Sequence, residues 1–180
     1  VSLIGKYGAK GVGLSGKDGR LIEGEKKSEE LGWVGNITSI NPEILEITAG
    51  KGYIPVISPI GVDPDGNSLN INADMVAGEI AVAIGAKRLL LLTDVSGVLK
   101  DVSDPDSLIP TLTQEAAFSL IDEGVIASGM IPKVDAALCA VEAGITCHII
   151  DGKRPHSILL ELFTDQGVGT LIERRNDEIR

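Results

Sequence analysis

The chain has 180 residues, 43% of them hydrophobic but only 3% aromatic, so the core of its one or two domains must be built from Ile, Leu, Val and Ala, as in sheets covered by helices. Lys and Arg number 16 against 26 Asp and Glu, and the net charge of -10 has the wrong sign for a protein that grips a phosphate backbone, which argues against nucleic acid as a partner. No apolar run approaches the roughly 18 residues of a membrane span, and the opening Val1-Ser2-Leu3-Ile4 has neither an initiator Met nor a signal-peptide layout.

In chain order, Val1 to Ala9 reads as the last turns of a helix, so a segment is expected before Val1. Lys10–Leu14 reads as a strand, and Leu21–Glu25 with Val34–Ile40 as a hairpin across a charged loop. Asn41-Pro42-Glu43 opens a helix with a cap, a proline at the first position and an acidic first turn. A strand Tyr53–Ile60 follows, then the turn Asp63-Pro64-Asp65-Gly66 and a helix from Asn72 to Gly85. The run Leu89-Leu90-Leu91-Leu92 is apolar on both faces, which predicts that Arg88–Thr93 is a central parallel strand. Thr113 caps a helix to Glu123, and Gly129-Met130-Ile131-Pro132-Lys133 opens another that stops at Gly144. Strand Thr146–Ile150, helix Pro155–Phe163, strand Gly169–Ile172 and a charged tail complete the chain. This alternation predicts an α/β fold with a mostly parallel sheet.

Three places carry candidate chemistry. At Asn70-Ile71-Asn72-Ala73-Asp74, Asn72 is an N-cap and Asp74 falls in the first turn, where the macrodipole favours a carboxylate. A second amide at Asn70 is unnecessary for capping and points to a ligand, although a cap and turn alone would explain the pattern. Thr93-Asp94-Val95-Ser96-Gly97 follows the most apolar strand, where backbone N–H groups approach nucleotides and Asp94 has a ribose hydroxyl or a magnesium shell within its chemistry; an ordinary turn uses the same residues. Lys133 lies about one turn into a helix, the end where a cation does nothing for helix stability, and its mobile ammonium suits a transferring phosphoryl group. A solvated surface lysine is the plain alternative. Asp74 is a carboxylate able to orient such ammonium groups. His148, on a strand, and His156, after Pro155, have no spaced partner, and Cys139 and Cys147 have no metal-ligand spacing; they read as small buried hydrophobes of a reducing cytosol or a plastid.

These motifs, with Leu91-Leu92-Thr93-Asp94-Val95-Ser96-Gly97-Val98-Leu99 and Gly129-Met130-Ile131-Pro132-Lys133-Val134 in this order, resemble the C-terminal motifs of N-acetylglutamate kinase, a branch of the amino acid kinase superfamily. Gly13-Leu14-Ser15-Gly16-Lys17-Asp18 and Gly52-Tyr53-Ile54-Pro55-Val56-Ile57 extend the resemblance over essentially the whole chain. It implies a three-layer α/β/α sandwich of the carbamate kinase-like fold, shortened at its N-terminus, with one sheet through both lobes. Residues 1–85 would be the rear of the acetylglutamate lobe and 86–180 the nucleotide lobe. The implied reaction is ATP-dependent phosphorylation of the side-chain carboxylate of N-acetyl-L-glutamate, with Mg2+, in arginine biosynthesis. Carried over by position, Asn70 would contact the acceptor, Lys133 would stabilise the transition state and Asp74 would organise the catalytic lysines. Thr93, Asp94, Val95, Ser96, Gly97, Val98 and Leu99, with Val125, Ile126, Ala127 and Met130, would line the nucleotide.

The segment from Cys147 to Gly152 and that from Leu160 to Thr170 resemble arginine-inhibited members, in which His148, Glu161 and Gly167 would border the effector. A carboxylate at Glu161 suits a guanidinium, though a surface glutamate is the plain reading. Homo-oligomers and docking of the PII signalling protein, known in photosynthetic members, also follow from the resemblance. The family's phosphate-holding glycines, first catalytic lysine and acceptor-gripping arginine precede the region matched here, so these residues alone are expected to be inactive. The alternatives are an amino acid kinase with another acceptor, or a non-catalytic module sensing nucleotide or arginine.

Overall fold

The computed structural model describes residues 1–165 and 167–174, and the chain divides into two units, Val1–Ile84 and Gly85–Arg180. The charged tail over 175–180 lies outside the described residues.

The first unit runs α1 (Ser2–Lys6), β1 (Lys10–Ser15), β2 (Ile22–Lys26), β3 (Gly35–Ile40), α2 (Glu43–Gly50), β4 (Tyr53–Ser58), β5 (Ile60–Val62), β6 (Ser68–Asn70) and α3 (Ala73–Ala83). β1 and β4 pair in parallel from Lys10 opposite Tyr53 to Ser15 opposite Ser58, and a second sheet has the order β3-β2-β5-β6. The expected hairpin is therefore present as antiparallel β2 and β3. The single strand expected over Tyr53–Ile60 is instead two strands in different sheets. Pro59, which has no N–H to give to a ladder, sits at the break where the chain leaves β1 and joins β2. Leu21, Ile22, Leu45, Leu69, Ile71, Val76 and Ile80 form the core, with Leu14, Ile37, Ile40, Ile44 and Ile57 packed against it. Burying each such side chain contributes roughly 1.5–3 kcal/mol.

The second unit runs β7 (Arg88–Thr93), β8 (Thr111–Thr113), α4 (Gln114–Asp122), α5 (Ile131–Glu142), β9 (Thr146–Asp151), α6 (Ser157–Phe163) and β10 (Thr170–Glu173), with a 3-10 turn before α5. Its sheet has the order β7-β9-β10-β8, parallel between β7 and β9 and between β10 and β8, antiparallel between β9 and β10. β7 is thus an edge strand among the described residues, contrary to expectation, and Leu92 is 48% exposed. The buried centre is β9, whose Cys147, Ile149 and Ile150 are fully covered by strands on both sides and by α5. α5 presents Val134, Ala137, Leu138 and Val141, small enough to seat the helix closely on the sheet.

Each sheet lies within one unit, so the single sheet expected to run through both lobes is not found among the described residues. Neither cysteine forms a disulfide among the described residues, and burial pushes the thiol pKa of Cys147 up to about 12. No helix among the described residues is long and apolar enough to cross a membrane.

Candidate functional site

The acceptor-side candidates begin at the β5–β6 turn. Asp63 is buried, and its carboxylate accepts the Asn67 N–H at 2.7 Å and the Asn67 side-chain amide at 2.9 Å. The Asn67 side chain, with neighbouring main-chain N–H groups, holds the Asp63 carboxyl below the usual carboxylate range. The turn so ordered pairs Ile60 with Asn70. Ile71 is buried, and at Asn72 the chain enters α3, where Asn72 Oδ1 accepts the N–H groups of Asp74 and Met75 at 3.0 and 3.1 Å. Asn72 alone therefore forms the cap. Asn70 is exposed at the end of β6 and takes no part in it; its N–H donates to the Trp33 carbonyl at 2.7 Å. Asp74 is half-buried in the first turn.

In the second unit the stretch after β7 divides in two. Gly97, Val98 and Leu99 turn into the fold, while Thr93, Val95 and Ser96 are half-buried and Asp94 is exposed. The cause of the inward turn is Thr170. Its hydroxyl donates to the Ile109 carbonyl at 2.7 Å and accepts the Val98 N–H at 2.8 Å, and a Cβ on Gly97 would stand 2.6 Å from that oxygen. The Val98 N–H is thus spent on the fold rather than open to a phosphate, which leaves Thr93 to Ser96 as the part of the stretch facing outward. Beside it, the Gly152 N–H donates to the Thr93 carbonyl at 2.8 Å, and Lys153 Nζ lies 3.8 Å from Asp94 Oδ2. Both side chains of that ion pair are largely exposed, so the pair adds little stability by itself.

After α4, the N–H groups of Val125 and Ile126 both reach the Leu120 carbonyl, at 2.9 and 3.0 Å, and Ile126 is buried. Val125 and Met130 are half-buried and Ala127 is exposed. α5 starts at Ile131 with Pro132 in its first turn, no acidic residue there and no side chain capping it. Lys133 is half-buried in that first turn. A helix start with these properties favours an anion, and Lys133 adds a positive charge at the same place.

The third cluster joins β9, α6 and the start of β10. His148 Nδ1 lies 2.7 Å from Glu161 Oε1, and Glu161 Oε2 accepts the N–H groups of Val168 at 2.6 Å and Gly169 at 3.0 Å. Both His148 and Glu161 are buried, so the plain reading of Glu161 as a surface glutamate does not hold, and His148 has a partner that no sequence spacing marks. Burial pushes the Glu161 carboxyl up, but the Val168 N–H, His148 and the Gly169 N–H outweigh it and hold the carboxyl below the usual range. Gly167 has φ of 61°, and a Cβ there would lie 2.8 Å from Glu161 Oε2, so a side chain at 167 would press on the carboxylate.

No group of three or more His, Cys, Asp or Glu able to hold a metal occurs among the described residues. Thr170, Val168 and Trp33 were not candidates from the sequence, because each acts across the fold with no local spacing to mark it.

Residues 1–151 match the amino acid kinase family. An acetylglutamate kinase from Methanothrix thermoacetophila is 57% identical over 96% of this chain, and the match spans 63% of that relative's length. Among solved structures, a protein from Streptococcus mutans superposes with a TM-score of 0.80 at 30% identity, covering 96% of this chain and 64% of its own. The N-acetylglutamate synthase from Neisseria gonorrhoeae, complexed with coenzyme A and L-arginine, superposes with a TM-score of 0.73 at 26% identity over 92% of this chain and 38% of its own. Matched over most of its length, with an α/β architecture shared by these structures, the chain belongs to the amino acid kinase family.

Proposed function

We propose that this chain carries acceptor and nucleotide elements of an acetylglutamate kinase, with residues 1–85 serving the acceptor and 86–180 the nucleotide. An oxygen of the side-chain carboxylate of N-acetyl-L-glutamate attacks the γ-phosphorus of ATP. The bond from that phosphorus to the β–γ bridging oxygen breaks, ADP leaves, and N-acetyl-L-glutamyl 5-phosphate forms. The observation that carries the reading is the division of labour between two asparagines: Asn72 alone caps α3, and Asn70 stands exposed one strand-end away, in a chain 57% identical to an acetylglutamate kinase.

In this reading Asn70 hydrogen-bonds the acceptor, and the Lys133 ammonium follows negative charge as it moves from donor to acceptor. Asp74 orients ammonium groups around the transferring phosphoryl. Thr93 to Ser96 receive the nucleotide, with Val125, Ala127 and Met130 as further lining. The donor set fits a nucleotide that brings its own Mg2+, since Asp94 is an exposed carboxylate with Lys153 beside it and no dedicated metal cage is found among the described residues. Bound to the phosphates, Mg2+ neutralises their charge.

Arginine feedback is assigned to His148, Glu161 and Gly167. Because Glu161 is already engaged, a guanidinium reaches it only by sharing or displacing its present partners, which would make the segment 167–169 responsive to the effector. A cytoplasmic or plastid location, self-association and PII docking complete the family reading.

The test is calorimetric titration of N-acetyl-L-glutamate and of Mg-ATP into the chain, with aspartate as a competing acceptor. Selective N-acetyl-L-glutamate binding supports the reading. Preference for another acceptor supports a different amino acid kinase, and arginine or nucleotide binding without any acceptor supports a sensing module.

A further inference from the structure

The main chain of Asn70 is held by the loop end of the β2–β3 hairpin. The Lys27 N–H closes the hairpin on the Val34 carbonyl at 2.8 Å, Val34 bridges to Asn70 in parallel, and the Trp33 carbonyl accepts the Asn70 N–H at 2.7 Å. The loop between is ordered by its own bonds, Gly32 N–H to the Glu29 carbonyl at 3.2 Å and Leu31 N–H to Ser28 Oγ at 3.4 Å. At its base the hairpin seats closely on β6, for a Cβ on Gly35 would stand 2.9 Å from Leu69 Cδ1, and Leu69 is fully buried. Trp33 itself, the one tryptophan of the chain, is half-exposed and gains little from burial. What holds it is Lys26, whose ammonium lies 4.3 Å from the ring centroid and 3.6 Å from Glu29 Oε2.

We infer that Trp33, clamped by Lys26, is a positioning residue for the acceptor site: it sets the place of Asn70 through its main-chain carbonyl and never has to touch the substrate. The inference rests on the reading of Asn70 as an acceptor contact. An asparagine that recognises an acceptor is useful only when its backbone is fixed, and Asn70 ends a strand of three residues. The hairpin supplies the missing restraint through these main-chain bonds, and the Lys26 contact on the half-exposed ring adds to it at Trp33 itself.

The experiment measures hydrogen exchange at the Asn70 amide and N-acetyl-L-glutamate affinity by calorimetry in the chain and in Lys26→Met, Trp33→Ala, Trp33→Phe and Asn70→Ala. Lys26→Met and Trp33→Ala are expected to speed Asn70 exchange about threefold to fivefold and to weaken acceptor binding by a similar factor, with Trp33→Phe restoring both, since phenylalanine also accepts a cation. Exchange at Leu45 and Ile80 stays unchanged, which a general loss of stability would not allow. Unaltered Asn70 exchange in Trp33→Ala overturns the inference. So does faster exchange with unaltered affinity while Asn70→Ala weakens binding. If Asn70→Ala binds the acceptor as well as the unmodified chain, or if the unmodified chain does not bind it, the acceptor reading of Asn70 fails and the inference falls with it.

Discussion

The Glu161 carboxylate is shared between His148 at 2.7 Å on one oxygen and the N–H groups of Val168 and Gly169 on the other. One side chain on α6 thereby ties the buried strand β9 to the segment that leads into β10. Replacing Glu161 with Ala leaves three polar groups in a buried place without their acceptor, and is expected to lower stability by about 3 kcal/mol, read from urea unfolding. If arginine acts here, the same change abolishes its inhibition.

The same carboxyl predicts a pH dependence. Its folded pKa is depressed below the ordinary 4.5, so its contribution to stability is present above that value and is lost as pH falls through the lower folded one. Glu161→Gln should therefore be less stable than the unmodified chain at neutral pH, and the gap should close in acid. A gap of constant size from pH 7 to pH 3, measured by thermal unfolding, would contradict this.

Thr170 offers a second structural test. Thr170→Val keeps the shape but removes the hydroxyl between Val98 and Ile109, and should cost about 2 kcal/mol, whereas Thr170→Ser should cost less than half of that. Equal losses would mean that the methyl group matters as much as the oxygen and would contradict this.

The two asparagines allow a test of cap against proposed acceptor contact. Asn72→Ala removes the acceptor for the Asp74 and Met75 N–H groups and is expected to lower stability by about 1 kcal/mol. Asn70→Ala should leave the unfolding midpoint nearly unchanged and weaken N-acetyl-L-glutamate binding. The reverse pattern would return Asn70 to a structural role.

In a full-length acetylglutamate kinase carrying this segment, Lys133→Ala is expected to reduce phosphoryl transfer about 100-fold or more, with a much smaller effect on Mg-ATP affinity. A loss confined to affinity would place Lys133 in nucleotide binding alone. Turnover equal to that of the unmodified enzyme would remove it from the chemistry.

Local signals were legible where the physics is local. The Asn72 cap, the Thr113 cap that accepts the Ala116 N–H, and the proline-led start of α5 all follow from side chains within a few positions of the backbone groups they serve. Burial was misread where neighbour order decides it. Four leucines in a row mark β7 as apolar but do not say how many strands flank it, while β9, with a histidine and a threonine, sits between two strands and is the most covered.

Within the candidate site, the first-turn position of Asp74 and Lys133 could be read directly, but the partners of His148, the tie from Trp33 to Asn70 and the inward turn at Val98 could not. Each of those joins positions in different elements, with no spacing rule of helix or strand to announce it. Pro59 was visible in the sequence, yet whether a proline ends a strand or hands the chain to a second sheet depends on which edge waits beyond it.

The position of β10 also has a bearing on the order of assembly. On one side it pairs with β9, near in the chain; on the other it pairs with β8, and the Thr170 hydroxyl reaches Ile109 across a separation of 61 residues. Closing so long a span costs entropy before any contact repays it, so the β8 edge and the inward turn at Val98 are expected to join after β9, α6 and β10 have come together, an order that pulse-labelled hydrogen exchange would check. The inward turn at Gly97 and Val98 is thus expected to be among the last parts of its unit to take shape, fixing the end of the stretch from Thr93 to Ser96 only once β10 is in place.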